Sequence, residues 1–229
     1  MSDSPARDSA VTRRLLLLRH GEVASHRGDV PITAAGRDTA TRVGAILGKD
    51  CAGPLLVLSG ETRRARETAQ AIAAGAHGAQ ATVAGPRVAF ALRNPDLYLA
   101  GARVDMVSTP AALAAQVPGL SERTAAATPF FAGWFRAADR IGWWLRHPEP
   151  PGDDAATVLR RILVFARSLA DLGAGAAHLV VGVTHSPVLR ACALGVLDAD
   201  PGEPGWVRGL EALIHPDGTV ALSWLDGAP

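Results

Sequence analysis

Cysteine is nearly missing from this chain of 229 residues: Cys51 and Cys192 are the only two, and they lie far apart. They form no metal or redox spacing and no disulfide framework, so a reducing cytoplasm is the expected setting. Charge of one sign is missing too. The 23 Lys and Arg residues balance 22 Asp and Glu to a net charge of +1, almost all the cations are Arg, and Lys49 is the single lysine. With no basic block, the electrostatic footprint of nucleic-acid binding is absent. No stretch approaches the ~20 apolar residues that span a bilayer, so no membrane partner is expected. Residues 1–12 are polar, carry acids as well as Arg7, and lack an apolar h-region. They read as a loose tail and not as a signal peptide. Internal repeats are missing as well.

What is present is ample material for one core. Hydrophobic residues make up 48% of the chain and charged residues 20%, the balance of a single globular domain over residues 13–229. The run Arg14-Leu15-Leu16-Leu17-Leu18-Arg19-His20-Gly21-Glu22 organises it. Four leucines suit a strand buried on both faces of a parallel sheet. The run stops abruptly in a cation, an imidazole and a glycine, at the carboxyl end of a strand where α/β sheets bind ligands.

The elements that follow alternate. Thr33 is placed to cap a helix through about Lys49, with Ala34, Ala40, Val43, Ile46 and Leu47 available for its inner face. A second buried strand covers 55–58, and a helix runs from Arg63 to about Ala74, ended by Gly75. Residues 75–85 read as a surface loop and 87–92 as a third strand. From 93 to 151 prolines chop the chain into short helices, an insertion expected to cap the sheet. Phe130, Phe131, Trp134, Phe135, Trp143 and Trp144 recur there at i, i+3, i+4 spacing, as in an amphipathic helix. Such a stripe serves a core or the wall of a pocket. Asp153-Asp154 opens a helix through about Leu172, residues 178–184 form an apolar strand, and Ser186-Pro187 starts another helix. Residues 206–214 and 219–225 pair as a C-terminal hairpin. The β-α-β-α order predicts a three-layer α/β fold, a mostly parallel sheet with helices on both faces.

Arg19-His20-Gly21, Arg64 and His185 each fall just past the carboxyl end of an expected strand or on the helix after it. Parallel strands put those ends on one edge, so two guanidiniums and two imidazoles converge there. That set suits a phosphoryl group, whose oxygens accept bidentate Arg bonds, with the backbone N–H groups of a helix opening at Ser186 beside it. Arg63 and Arg66 compete with Arg64 for the role.

These motifs resemble the histidine phosphatase superfamily, also called phosphoglycerate mutase-like. The match runs through Arg19-His20-Gly21-Glu22, Pro31-Ile32-Thr33-Ala34-Ala35-Gly36 and Arg63-Arg64-Ala65-Arg66-Glu67-Thr68-Ala69. It continues through Gly152-Asp153-Asp154 with Arg160 and Arg161, and ends at Val181-Gly182-Val183-Thr184-His185-Ser186. The Arg-Ala-x-x-Thr-Ala pattern selects Arg64. The resemblance implies that His20 is a nucleophile forming a phosphohistidine that water then hydrolyses, with no metal and no cofactor. Arg19, Arg64 and His185 would bind the phosphoryl oxygens, and Glu22, His26 and Ser186 would line the substrate site. The physics agrees, since phosphoryl transfer is mostly positioning plus electrostatics and a covalent intermediate divides one hard step into two.

The general acid is where the chain departs from the family. Family members use a Glu after a Leu downstream of the Arg matched by Arg64. Here that neighbourhood reads Ala91-Leu92-Arg93-Asn94-Pro95-Asp96. Asp96 is the expected proton donor and Asp105 the second candidate. The loop 23–31 lacks the Asn expected of a phosphoglycerate mutase, and His26 stands near its place. A phosphomonoesterase is therefore favoured over a mutase, acting on a small phosphorylated metabolite or a phosphoprotein. A non-catalytic phosphate-binding module is the alternative outside enzymes. A serine hydrolase lacks its Gly-x-Ser-x-Gly elbow, and nothing specifies an oligomeric state.

Overall fold

The structure is a computed structural model, described here for residues 13–25, 28–173 and 175–225. The expected tail over 1–12 lies outside these residues, as does His26. In chain order the first elements are β1 (Arg13–Arg19), α1 (Ala34–Asp50), β2 (Leu55–Ser59), α2 (Arg63–Gly78) and β3 (Val83–Val88). The middle holds β4 (Leu97–Leu99), β5 (Ala102–Val104), α3 (Pro110–Ala114), α4 (Glu122–Ala127), α5 (Pro129–Arg136) and α6 (Arg140–Arg146). The chain then continues through α7 (Ala155–Ser168), β6 (Leu179–Thr184), α8 (Ser186–Leu197), β7 (Gly209–Ile214) and β8 (Val220–Trp224). Among the described residues no helix is long and apolar enough to cross a membrane.

Six strands form one sheet in the order β3-β2-β6-β1-β7-β8. The first four are parallel, and the hairpin β7–β8 adds antiparallel to β1. The four leucines of β1 explain the layering. Successive side chains of a strand point to opposite faces. Leu15 and Leu17 accordingly enter a core shared with α7, α8 and the inserted helices, while Leu16 and Leu18 enter a second one under α1 and α2. All four are at most 2% exposed, each stabilising the fold by ~1.5–3 kcal/mol.

Helices α1 and α2 approach through glycine. A Cβ on Gly44 would stand 2.0 Å from the carbonyl oxygen of Ile72, and one on Gly75 would stand 2.0 Å from that of Thr41. This corrects the expected end of α2: Gly75 is a packing glycine inside the helix, which runs on to Gly78. On α1, Ala34 and Ile46 face solvent, Ile46 at 42% exposure, and Gly36, Gly44 and Gly48 take inner positions instead. Strand β3 lies earlier than the expected 87–92. It is an exposed edge strand, Val-Ala-Gly-Pro-Arg-Val, whose central Gly-Pro interrupts the apolar pattern by which strands are found.

The insertion leaves and re-enters at one point, where Leu97 bridges Gly152. Asp153 accepts from the backbone N–H of Asp96 (3.1 Å) and from Arg161 (2.8 Å), and Arg161 donates to the carbonyl of Arg93 (2.9 Å). The Gly152-Asp153 motif with Arg161 is thus a brace across the two ends of the insertion. The aromatic stripe is split between α5 and α6, with Asp139 capping α6. Phe130, Phe131, Trp134 and Trp144 are buried in the core shared with the sheet.

Candidate active site

Register fixes the site. Arg19 pairs with Thr184 and Ser59 with Val183, so β1, β2 and β6 end level with one another. The next residues, His20, Gly60 and His185, therefore emerge side by side. The backbone N–H of His20 donates to Thr184 and that of Gly60 to Val183. Gly60 must be small: a Cβ there would stand 2.8 Å from the Leu92 carbonyl and 3.5 Å from His185 Nε2.

The imidazoles of His20 and His185 stand 5.4 Å apart, edge to face, and both are at most 3% exposed. His20 Nδ1 lies 2.8 Å from the carbonyl oxygen of Gly21. A carbonyl only accepts, so Nδ1 carries the hydrogen, and in the neutral ring Nε2 holds the lone pair. His185 Nε2 lies 3.4 Å from Thr62 Oγ1.

Thr68, fully buried, ties the loop of His20 and Gly21 to α2. Its Oγ1 accepts from the Gly21 N–H (2.8 Å) and donates to the Arg64 carbonyl (2.7 Å). Helix α2 then presents its arginines to different surroundings. Arg63 pairs with Glu67 at 2.7 Å on the exposed side, Arg66 faces solvent, and Arg64 turns onto the cavity wall. The Arg64 Nε is buried and meets no hydrogen-bond partner among the described residues. Burial lowers the pKa of its guanidinium, against the opposing pull of Asp29 and Asp105.

Arg19 is held from the C-terminal side. It donates to the Pro204 carbonyl (2.6 Å), pairs with Glu203 (2.7 Å) and sits over the Trp206 ring with 3.6 Å from Cζ to the ring centroid. Burial pushes its pKa down to about 10, opposed by Glu203 and assisted by Arg64. The segment that supplies these contacts carries Val207 at φ 55°. A β-branched residue in the left-handed region is strained by ~1–3 kcal/mol, and its N–H reaches the Arg19 carbonyl.

A cavity of about 490 Å³ opens over these groups. Arg19, His20, Arg64, His185 and Ser186 line it, together with the apolar Met106, Val107, Trp134 and Ile141. Three sequence expectations come out differently. Asp96 is off the cavity wall, its carboxylate claimed by Arg93 and Arg103. Burial raises its pKa, but hydrogen bonds and charge from those arginines win and hold it below the usual carboxylate range. Such a carboxylate keeps an ion-pair knot together and is a poor proton donor. Asp105 is also off the wall, its side chain 65% exposed. Glu22 accepts from Thr33 Oγ1 at 2.7 Å and stitches its loop to the start of α1, away from the cavity.

Other lining residues escaped the sequence reading. Asn94 reaches the wall, and its Oδ1 is buried with no partner among the described residues. Arg190, 2% exposed, binds Asp139 on the insertion and Asp200 beyond α8. Glu203 joins Arg19 to Ser186, whose hydroxyl donates to it at 2.5 Å. No motif marks these residues, because they lie on an irregular segment and on a helix face without a diagnostic spacing.

Residues 15–85 match the family model of the Histidine phosphatase superfamily (branch 1). No protein of curated function matches the chain. Among solved structures it is similar to mycobacterial glucosyl-3-phosphoglycerate phosphatase complexed with VO3. The identity is 21% and the TM-score 0.59, over 95% of this chain and 100% of that one. It is similar to a phosphoserine phosphatase mutant from Entamoeba histolytica in complex with phosphoserine (16%, TM-score 0.56, 93% and 97% covered). It is likewise similar to phosphoglycerate mutase from Bacillus anthracis (14%, TM-score 0.57, 95% and 94% covered). At these identities the likeness is one of architecture, and that architecture is phosphoglycerate mutase-like.

Proposed function

We propose, from a chain that resembles the histidine phosphatase superfamily over residues 15–85, that this protein is a phosphatase hydrolysing small phosphomonoesters through a phosphohistidine on His20. The observation that carries the reading is the clustering of Arg19, His20, Arg64 and His185 on one cavity wall at the carboxyl ends of three parallel strands. His20 Nε2 attacks phosphorus and the ester P–O bond breaks. Arg19 and Arg64 hold the equatorial oxygens as charge spreads over them, with His185 beside them. Water then attacks the phosphohistidine and returns His20. The hydrogen bond from Nδ1 to Gly21 fixes the ring through both steps. An apolar wall of Met106, Val107, Trp134 and Ile141 supports a substrate with a nonpolar or ring portion.

The experiment is a hydrolysis panel of phosphorylated metabolites and a chromogenic aryl phosphate, with H20A alongside. Steady phosphate release that is lost in H20A supports the reading. Binding of phosphate without turnover would leave a phosphate-binding module, and isomerisation of phosphoglycerate outrunning phosphate release would make the chain a mutase.

A further inference from the structure

The reaction above leaves an alkoxide that needs a proton, and the expected donors are off the cavity wall. Asp96 is locked between Arg93 and Arg103, and at the start of the same loop the wall is reached by Asn94, an amide with no acidic proton. Among the described residues two carboxylates line the cavity, Asp139 and Glu203. Asp139 is fully engaged: it caps α6 through the Gly142 N–H (2.9 Å) and pairs with Arg190, which, with that backbone bond, holds its pKa at about 2. Glu203 differs in its partner and not in its exposure, which matches that of Asp139: Oε1 lies 2.7 Å from Arg19, the cation next to His20, and Oε2 accepts from Ser186.

Resting on the phosphohistidine reading, we propose that Glu203 is the general acid and base of this site. Arg19 is the guanidinium that a phosphoryl group must share, so an arriving phosphomonoester sets its oxygens against the Glu203 carboxylate. Two oxyanions at one cation are compatible when a proton is held between them. The charged groups around Glu203 are Arg19 from β1, Arg190 from α8 (3.7 Å), and the Asp139 and Asp200 carboxylates that Arg190 binds. Arg64, His20 and His185 share the same cavity.

In the first step the His20 Nε2 lone pair forms the N–P bond. The pair of the breaking P–O bond goes to the ester oxygen, and the Glu203 proton moves to that oxygen, releasing an alcohol. In the second step water attacks phosphorus and Glu203 takes its proton. The N–P pair returns to Nε2, and inorganic phosphate leaves. Ser186 and Arg190 steer the carboxylate between these duties.

The test compares E203Q with the unaltered protein on p-nitrophenyl phosphate and on an alkyl phosphate that the unaltered protein hydrolyses. The ratio kcat/KM reports only the steps through release of the alcohol. General acid catalysis contributes ~10²–10⁴-fold, so E203Q should lose about 100-fold or more on the alkyl ester and under about tenfold on the aryl ester. The aryl leaving group needs little protonation. Equal losses on both esters, no loss on either, or a gain on both overturn the proposal; a gain would make Glu203 a competing anion on Arg19. If the unaltered protein turns over neither ester, or H20A matches it, the phosphohistidine reading fails first and is recognised as such before Glu203 is altered.

Discussion

Thr68 and Gly21 are joined by a hydrogen bond of 2.8 Å from the glycine N–H to the threonine hydroxyl, and the same hydroxyl donates to the carbonyl of Arg64. One fully buried side chain therefore sets the distance between the His20 loop and the helix that carries Arg64. His20 and Arg64 are positioned by a shared connection, not by two independent supports.

Arg64 should carry a large part of the transition-state stabilisation. R64A is expected to lose ~3–4 kcal/mol, the scale of a removed oxyanion donor. R63A should change turnover only a few-fold, because Arg63 is committed to Glu67 on the outer side of α2. Steady-state kinetics of the two variants on one aryl phosphate check this. A loss with R63A as deep as with R64A would reverse the assignment.

Asp96 should matter for stability at neutral pH and little for bond breaking. Its folded pKa is held below the ordinary carboxylate value, so its contribution is present above that ordinary value and is lost as the pH falls through the folded one. Urea melts from about pH 7 down to about pH 3 should show a stability advantage over D96N that shrinks with acid. The kinetic loss in D96N should be the same for alkyl and aryl esters. A loss confined to alkyl esters would restore Asp96 as the acid.

The mainly parallel sheet, its C-terminal hairpin and most of the helices were legible because their residues obey strong local rules. Four leucines can satisfy two cores at once, Thr33 and Asp154 cap the helices they precede, and Ser186-Pro187 opens α8. His20, Arg64 and His185 were legible because each follows a strand whose burial is plain. Glu203, Arg190 and Asn94 were not. Their roles depend on which side chains the fold brings against them, and the segment after α8 has no period to read. Asp96 misled for the same reason: the sequence shows a carboxylate near the expected place but not the two arginines that claim it.

Gly75 should be intolerant of a methyl group even though alanine is the better helix former by ~1 kcal/mol. A Cβ there would meet the Thr41 carbonyl at 2.0 Å, forcing α1 and α2 apart. G75A should be destabilised by ~1–3 kcal/mol, the usual cost of overpacking. In G78A, where a Cβ meets nothing within 4 Å, stability should hold or rise slightly. Denaturant melts of both variants decide, and equal stability would mean that the two helices separate more easily than their contact implies.

Thr68 offers the sharpest separation of positioning from chemistry. T68V keeps the shape and removes the hydroxyl, leaving the Gly21 N–H without its acceptor in a buried site, a cost of ~1–3 kcal/mol. T68S keeps the hydroxyl and loses one methyl group. If the hydrogen bonds position His20, T68V should lower kcat at least tenfold on any ester, and T68S should recover most of it while remaining slightly less stable than the unaltered protein. Because Thr68 itself lies off the cavity wall, KM for the same ester should move much less than kcat. Were T68S as impaired as T68V, the methyl packing and not the hydrogen bonding would be what holds the His20 loop against α2.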